Sequence, residues 1–351
     1  MCDDLALGVY AVCHYNALVR VHSSAPTRID LAGGTLDIWP LYLFHDKAQT
    51  LNMAITRRAE CCLSPRDDGR LQIISEDTGT AVNVAHASEI DNRSELRLVS
   101  HISRYFEASE MTITTRSGSP VGAGLAGSSA LNIALCAAFL TWQKRHLDQE
   151  SLMSLALDIE AQVLRVPTGA QDYRPAVFGG VAALEFHPGR VERIPIELDE
   201  GSLADRIVLV YTGQSRNSGV NNWDIMKRHL DGDRNVTTLF DEIRDVAIFM
   251  RRAIEANRWD EMARYVGLEW ELRKRLAPGV TTDKLDTLIA QGRKSGALAA
   301  KVCGAGGGGC VAFFSHPDAT DKLRTTLSSA GAQLLDCRID TKGLQVIAHE
   351  T

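Results

Sequence analysis

The chain contains 351 residues, of which 45% are hydrophobic and 23% are charged, and its formal net charge at pH 7 is −6. This composition is typical of a globular protein that is long enough for two domains. The negative charge excludes a general attraction to nucleic acid or anionic membranes, and no apolar run reaches membrane-spanning length, so we expect neither partner.

The cysteines and histidines indicate a reduced, cytoplasmic protein without a dedicated zinc site. The eight cysteines include one adjacent pair, Cys61 and Cys62, and no C-x-x-C motif, a pattern typical of free thiols in a reducing compartment. The ten histidines have no H-E-x-x-H or comparable ligand spacing. Asp3 and Asp4 stand where a secretory signal would be basic, so we expect no such signal.

Hydrophobic periodicity predicts a mixture of strands and helices along the first 200 residues. The predicted strands are 18–21, 29–32, 51–62, 71–74 and 111–115. The predicted helices are 96–106, 128–142 and 151–164. The stretch 176–186, which contains Gly179 and Gly180, is interpreted as a strand with a bulge or a turn.

A polar stretch at 199–201 predicts a boundary between two domains, residues 1–200 and 201–351. In the second domain the predicted strands are 207–211, 299–303, 311–315, 334–339 and 344–348. The predicted helices there are 220–230, 236–256, 260–276, 282–295 and 319–330. The predicted fold class is therefore α+β, arranged in two lobes.

The first motif in the chain is 25–37, in which Arg28 and Asp37 flank a strand and the turn at Gly33 and Gly34. An arginine at such a position can stabilise charge on a transferring phosphoryl group, and Asp37 can bind sugar hydroxyls. The alternative is an ion pair at the end of a strand together with a turn-forming aspartate. This segment alone does not decide between the two interpretations.

The most informative motif is the glycine-rich run 120–130, which precedes an apolar helix-forming run. Its glycines let the backbone approach an anion closely, and a helix start offers N–H groups and a positive dipole end. Ser128 and Ser129 can hydrogen-bond a phosphate or help to hold Mg²⁺. We interpret this run as a nucleotide-phosphate site formed by Pro120, Gly122, Ala123, Gly124, Leu125, Ala126, Gly127, Ser128 and Ser129.

Other interpretations of this run stay open. Residues 122–127 match the dinucleotide fingerprint G-x-G-x-x-G, although the predicted strand does not lead directly into them and no acidic residue ends a second strand. A helix start without any ligand is the other alternative. A Walker A motif is excluded, because no Lys-Ser/Thr pair follows the glycines.

Two acidic residues after the glycine-rich run are candidates for a role in catalysis or metal binding. Asp172 lies in a loop between a predicted helix and a glycine-containing strand, where a carboxylate can accept or orient the proton of a substrate hydroxyl in phosphoryl transfer. Glu160 lies within the preceding helix and can coordinate a metal through hard oxygen atoms. The structural alternatives are a turn or cap at Asp172, which is favoured when that residue is taken alone, and a solvated helix face at Glu160.

A second glycine loop, 303–310, joins two apolar predicted strands, which a flexible linker would not do. We interpret it as a tight loop whose backbone approaches a ligand or another backbone. Two such loops, one from each lobe, could enclose one nucleotide.

Taken in this order, the motifs resemble those of the GHMP small-molecule kinases, named for galactokinase, homoserine kinase, mevalonate kinase and phosphomevalonate kinase. The stretches that carry the resemblance are 25–37, 120–130, 169–180 and 301–314, with support from 211–216 and 276–280. The branch with D-glycero-D-manno-heptose 7-phosphate kinase and L-fucokinase is the most similar. The resemblance implies a ribosomal S5-like N-terminal domain that binds ATP and substrate, and a ferredoxin-like C-terminal domain.

The resemblance also implies roles for individual residues. Asp172 corresponds to the catalytic base, and Arg28 corresponds to the basic residue near the transferring phosphate. Ser128 and Glu160 correspond to the Mg²⁺ ligands, and the run that contains Ser128 corresponds to the ATP phosphate loop. The substrate-binding positions are Asp37, Gly34, Gln171, Gly306 and Gly307.

The chain departs from the family pattern at three motifs. Thr35-Leu36 replaces the Gly-Thr or Gly-Ser pair that is common before the sugar-binding aspartate. Ala126 and Gly127 occupy the middle glycine and the first serine of the usual Gly-Leu-Gly-Ser-Ser, and we expect Ala126 to have a φ below zero because it carries a Cβ. Ala170 and Tyr173 replace the lysine and the second glutamine of the branch pattern Gly-Lys-Gln-Asp-Gln. The missing lysine removes a cation near the acceptor.

We therefore predict an ATP- and Mg²⁺-dependent kinase that phosphorylates a sugar hydroxyl, at the anomeric position, of the heptose 7-phosphate, fucose or galactose type. A kinase of a non-sugar alcohol such as mevalonate is one alternative. A catalytically silent regulator that binds nucleotide or sugar on the same fold is another. A homodimer is compatible with either activity.

Overall fold

Two β-sheets organise the part of the chain that the computed structural model describes, residues 19–90, 96–198, 200–214 and 219–350. The strands of the larger sheet are β1 Val19–Ala32, β2 Gln49–Pro65, β3 Leu71–Ser75, β4 Thr80–Val84, β5 Met111–Ser117, β6 Val181–His187, β7 Arg190–Pro195 and β12 Gln345–Glu350. Its main order is β12-β1-β2-β5-β3-β4, and β6 pairs with β2 and β7. The strands of the smaller sheet are β8 Ile207–Tyr211, β9 Ala297–Val302, β10 Cys310–Ser315 and β11 Gln333–Leu335, in the order β11-β8-β10-β9.

The helices cover these sheets. They are α1 Arg97–Tyr105, α2 Gly127–Trp142, α3 Gln149–Leu164, α4 Tyr173–Phe178, α5 Glu200–Ala204, α6 Gly219–Leu230, α7 Arg234–Glu255, α8 Trp259–Leu276, α9 Asp283–Lys294 and α10 Thr320–Ser329. Helix α2 is buried on nearly every side because it packs against β1, β2 and α3, and its continuous apolar sequence fits that environment. The mixed α+β architecture agrees with the predicted fold class.

The structure corrects the predicted first strand. The segments 18–21 and 29–32, predicted as separate strands, belong to the single strand β1, apart from Leu18, which lies outside the described residues. The register of β1 against β2 shifts between Pro26 and Thr27. A proline cannot donate to the ladder, and a bulge lets the strand continue past it.

The stretch 176–186 is also different from its prediction. Its first three residues complete the short helix α4, and β6 begins only at Val181. Gly179 and Gly180 separate the two elements and have φ angles of 66° and 74°. Helices commonly end at a glycine with a positive φ. Strands β4 and β7 were missed, because their partly exposed residues lack a continuous apolar pattern.

The last described strand pairs with the first described strand, so both belong to the larger sheet. β12 pairs antiparallel with β1, and one hydrophobic core combines Ile29 and Leu51 of the larger sheet with Met250 and Phe314 from the second half. A domain boundary near residue 200 stays a prediction. Asp199, Ser215 and Arg216, which belonged to predicted features, lie outside the described residues.

Within the described ranges, no helix combines the length and the apolarity that crossing a bilayer would require.

Candidate active site

The glycine-rich run 120–130 forms a loop that leads directly into α2. Gly122 and Gly124 have φ angles of 69° and 77°, and Ala126 has a φ of 59°, so the expectation of a negative φ at Ala126 is wrong. Ala126 is the N-cap of α2 and gives no side-chain hydrogen bond to the helix. The first turn of α2 therefore presents its backbone N–H groups at the loop, where an anion can accept them.

The two glycine loops touch through their backbones. A Cβ added to Gly124 would lie 2.3 Å from the carbonyl oxygen of Cys303, and one added to Gly304 would lie 2.9 Å from the Cα of Gly124. The Cys310 N–H also donates to the Ala123 carbonyl, at 2.8 Å. Gly124 and Gly304 are therefore required by the contact between loops from the two halves of the chain.

Gly306 and Gly307 lie in the same C-terminal loop but contact another segment. A Cβ on Gly306 would lie 2.4 Å from the Val280 carbonyl oxygen, and the Gly307 N–H donates to that oxygen at 2.6 Å. The conformation of Gly306 and Gly307 is thus explained by their packing against Val280, in the segment after α8. Their assignment to substrate binding stays a prediction.

Arg28 connects the glycine-rich loop 120–130 to Asp172. Its Nε and Nη2 both donate to Asp172 Oδ1, at 2.9 and 2.6 Å, while Nη1 donates to the Gly124 carbonyl at 2.8 Å. Burial alone would lower the pKa of Arg28, but the carboxylates of Asp172 and Asp30 hold it above its ordinary value. The guanidinium is therefore a permanent cation, and the Asp172 side chain beside it remains 23% exposed and accessible to a substrate.

Glu160 contacts the first residue of α4, Tyr173, which follows Asp172 in the chain. Glu160 is buried, and its Oε2 accepts hydrogen bonds from Ser129 Oγ, at 2.9 Å, and from the Tyr173 hydroxyl. Burial raises the pKa of Glu160, and hydrogen bonds from Tyr173, Ser129 and Ser128 oppose that rise. The predicted pair of Ser128 and Glu160 is thus one part of a cluster that also contains Ser129 and Tyr173.

This cluster fits a magnesium ion that also binds phosphate. Mg²⁺ in phosphoryl-transfer sites is commonly held by one or two protein oxygen ligands together with substrate phosphates and water. A serine hydroxyl at the start of α2 and the Glu160 carboxylate beside it provide such oxygens. In the described residues, no group of three or more His, Cys, Asp or Glu side chains forms an all-protein metal site.

Asp37 is held by the loop that carries Asp172. Its carboxylate accepts from the Gln171 N–H at 3.1 Å, from Gln171 Nε2 at 3.2 Å and from the Thr35 N–H at 3.0 Å. A Cβ on Gly169 would lie 1.7 Å from Asp37 Oδ2, so only glycine fits there. Burial, with a smaller effect of Asp172, raises the pKa of Asp37 to about 6.

Four buried charges near these residues escaped the sequence interpretation. They are Asp30, Glu269, Arg273 and Lys301, each at most 4% exposed. Gly34, a predicted substrate-binding residue, packs against this group, since a Cβ there would lie 2.3 Å from Arg273 Nη1. A lysine inside the apolar strand β9 was the available sequence signal.

A cavity of about 830 Å³ lies outside this site. It is lined by the turn Leu41–Phe44, strand β6 and helix α7, with Gln49 at its edge. None of the residues predicted to bind ATP, metal or substrate lines it.

Comparisons with known proteins agree on one family. The model described as GHMP kinases N terminal domain matches residues 95–180, and the model described as GHMP kinases C terminal matches residues 250–333. The D-glycero-alpha-D-manno-heptose 7-phosphate kinase of Campylobacter jejuni is 28% identical over 335 residues, which cover 93% of this chain and 98% of that protein. A mevalonate kinase of Thermococcus sibiricus is 26% identical over 347 residues, with coverages of 93% and 98%.

A solved structure supports the same architecture. The galactokinase of Lactococcus lactis, complexed with galactose, superposes with a TM-score of 0.72 at 18% identity and covers 95% of both chains. This likeness shows a shared fold.

Proposed function

Because the chain belongs to the GHMP kinase family, we propose that it transfers the terminal phosphoryl group of ATP to a hydroxyl of a sugar. The observation that carries the proposal is the link from Asp172 through Arg28 to the Gly124 carbonyl. This link holds a carboxylate for the acceptor and a cation beside the phosphate loop. The match to a heptose 7-phosphate kinase along nearly the whole chain supports a sugar as the acceptor.

In this proposal the triphosphate lies on the loop 120–129. Gly122 and Gly124 keep side chains away from the phosphates, and the N–H groups at the start of α2 donate to them. The charge that develops on the transferring phosphoryl group is offset by these donors and by Arg28. Because Arg28 also holds Asp172, the same guanidinium sets the distance between the acceptor and the phosphate.

Asp172 accepts or orients the proton of the acceptor hydroxyl. Its Oδ1 is occupied by Arg28, which leaves Oδ2 to face the substrate. Asp37 is hydrogen-bonded to Gln171, the residue before Asp172, which supports the proposal that Asp37 and Gln171 contact other hydroxyls of the sugar. We assign the anomeric hydroxyl as the acceptor, following the sugar-kinase resemblance.

Mg²⁺ would be held by Ser128 and Glu160, with Ser129 and Tyr173 supporting the carboxylate. Held there, the ion would supply positive charge to offset the negative charge of the nucleotide phosphates. The chain itself contributes hydroxyl and carboxylate oxygens at the mouth of the phosphate loop.

A second candidate acceptor is a non-sugar alcohol. The Thermococcus sibiricus mevalonate kinase also matches along 93% of the chain. An acceptor panel that contains mevalonate, homoserine, free hexoses and sugar 7-phosphates, with ADP release as the readout, separates the two candidates. Mass spectrometry of the product identifies the sugar and the phosphorylated hydroxyl.

The variant Asp172→Asn tests the proposed mechanism. We expect the loss of at least 99% of sugar-dependent ADP release, with ATP-analogue binding within about threefold of wild type, because the amide cannot accept the hydroxyl proton. Asp158→Asn, an exposed position on α3, is the matched control and keeps full activity. Wild-type turnover in Asp172→Asn would remove this residue from the mechanism.

We also propose a cytoplasmic location, which is supported by the free thiols of the six described cysteines. Dimer formation stays a prediction, and a molecular-mass measurement in solution tests it.

A further inference from the structure

Four buried charges connect the two halves of the chain beneath the candidate active site. Lys301 on β9 is fully buried, and its Nζ lies 3.1 Å from Asp30 Oδ2, 3.0 Å from Glu269 Oε2 and 3.3 Å from the Leu31 carbonyl. One turn after Glu269 on α8, Arg273 Nη1 lies 3.6 Å from Glu269 Oε1 and 3.8 Å from Asp30 Oδ2. We call Asp30, Glu269, Arg273 and Lys301 the charge network.

The charge network binds both backbone polar groups of one residue in the C-terminal glycine loop, Gly304. The Gly304 N–H donates to Asp30 Oδ1 at 3.0 Å, and the Gly304 carbonyl accepts from Arg273 Nη2 at 2.8 Å. Gly304 in turn lies directly on Gly124, whose carbonyl accepts from Arg28. The network is thereby connected to the guanidinium that holds Asp172.

Asp30 also faces Arg28 itself. The distance from Arg28 Nη1 to Asp30 Oδ1 is 4.0 Å, compared with 2.6 Å from Arg28 Nη2 to Asp172. Burial alone would raise the pKa of Asp30, but Lys301, Arg28 and Arg273 hold it below its ordinary value, so Asp30 is a carboxylate. The carboxylates of Asp30 and Asp172 therefore both attract the Arg28 guanidinium. Lys301 neutralises the charge of Asp30, which does not face the substrate.

Stability alone does not account for these charges. Buried ion pairs are often no more stabilising than well-packed apolar residues of the same volume, because desolvation offsets their attraction. The directional contacts to Gly304 and the competition for Arg28 point instead to positioning. We propose that the charge network is a positioning device that fixes Gly304 against Gly124 and leaves Arg28 to Asp172. This inference rests on the proposed kinase function.

The first test is Lys301→Met, which gives an unbranched side chain one atom shorter and removes the charge. With Asp30 no longer neutralised, Arg28 is drawn from Asp172, so we expect kcat to fall at least 30-fold while both KM values stay within about threefold. In Lys301→Met/Asp30→Asn the competing charge is also gone, and we expect kcat at least tenfold above that of the single variant. A single variant within threefold of wild-type kcat, or a double variant without recovery, overturns the proposal.

A matched control separates positioning from stability. Asp340 is another buried aspartate that pairs with an arginine, Arg58, and accepts the backbone N–H groups of Lys342 and Gly343. Asp340→Asn should lower the melting temperature and leave kcat within twofold of wild type. A loss of kcat in this control equal to that of Lys301→Met would mean that the effect is a general one of stability, which overturns the proposal.

A second, charge-balanced variant covers the case in which Lys301→Met does not fold. Glu269→Gln/Arg273→Gln removes one charge of each sign together with the donor to the Gly304 carbonyl. We expect a kcat at least tenfold lower and faster amide exchange in peptides that cover 120–127 and 301–310. Unchanged amide exchange in both peptides would overturn the proposed positioning role of the charge network, whether or not the wild-type protein phosphorylates an acceptor. A wild-type protein that phosphorylates no acceptor would refute only the proposed function.

Discussion

Ala126 shows how one residue departs from the family pattern at a local cost. A left-handed conformation costs an L-residue roughly 1–2 kcal/mol, and Ala126 has a φ of 59°. Ala126→Gly should therefore raise the free energy of unfolding by about 0.5–1 kcal/mol, after the larger chain entropy of glycine is subtracted. Urea unfolding measures this change. Ala123 is a buried residue of the same loop without a positive φ. Ala123→Gly should therefore lower the free energy of unfolding by about 1 kcal/mol.

Asp37 gives the folded state a specific pH dependence. Its pKa is raised to about 6 by burial, with a smaller effect of Asp172, so the folded state binds the proton more tightly than the unfolded state does. The contribution of Asp37 to stability is therefore greatest below about pH 4 and is lost as the pH rises to about 6. The lost contribution is about 3 kcal/mol, because each pKa unit corresponds to about 1.4 kcal/mol.

The variant Asp37→Asn isolates this effect, because contributions from other groups cancel when the two proteins are compared. Urea unfolding gives the free energy of unfolding of each protein. The value for wild type minus the value for the variant should be larger at pH 4 than at pH 7, by up to about 3 kcal/mol. A difference that does not change with pH, or that grows as the pH rises, contradicts the assignment.

At the scale of elements, two helix glycines should respond oppositely to alanine. Gly267 lies within α8, and a Cβ there would meet nothing closer than the Ala299 Cβ at 3.8 Å. Gly292 lies on α9, where a Cβ would lie 2.3 Å from Phe313 Cε1. Gly267→Ala should stabilise the protein by about 0.5–1 kcal/mol, and Gly292→Ala should destabilise it by about 1–3 kcal/mol through overpacking.

Chemical denaturation of the two alanine variants checks this pair, and each serves as the control for the other. Equal changes in both would mean that helix propensity alone governs these positions. That result would contradict the close packing of α9 on β10.

At the scale of the whole molecule, the two halves share a core and should unfold together. One hydrophobic cluster includes Ile29 and Leu51 as well as Met250 and Phe314, and β12 carries the chain end back to β1. We expect one calorimetric transition whose van't Hoff and calorimetric enthalpies agree. A non-hydrolysable ATP analogue should move that transition to higher temperature without splitting it. Two resolved transitions would show that the lobes are independent.

Much of this architecture was predictable because local sequence patterns carry it. The continuous apolar sequence of α2, the glycine-rich run before it and the buried strand β8 were all recognised from residues close together in the chain. The motifs, in their order, also predicted the family and the α+β fold, and both are confirmed. The roles of Asp172, Arg28, Glu160 and Asp37 were inferred from the same motifs and stay predictions.

The ion-pair partners of the buried charges could not be predicted from local sequence patterns. Asp30 and Lys301 are 271 residues apart in the chain, and neither neighbourhood specifies the other. The φ of Ala126 and the hydrogen bond from Tyr173 to Glu160 likewise depend on what packs around them. Periodicity and turn chemistry act over a few residues and so determine elements and motifs. The pairing of charges and of the two glycine loops arises only when distant segments are packed together, where excluding water makes each polar contact costly to leave unmade.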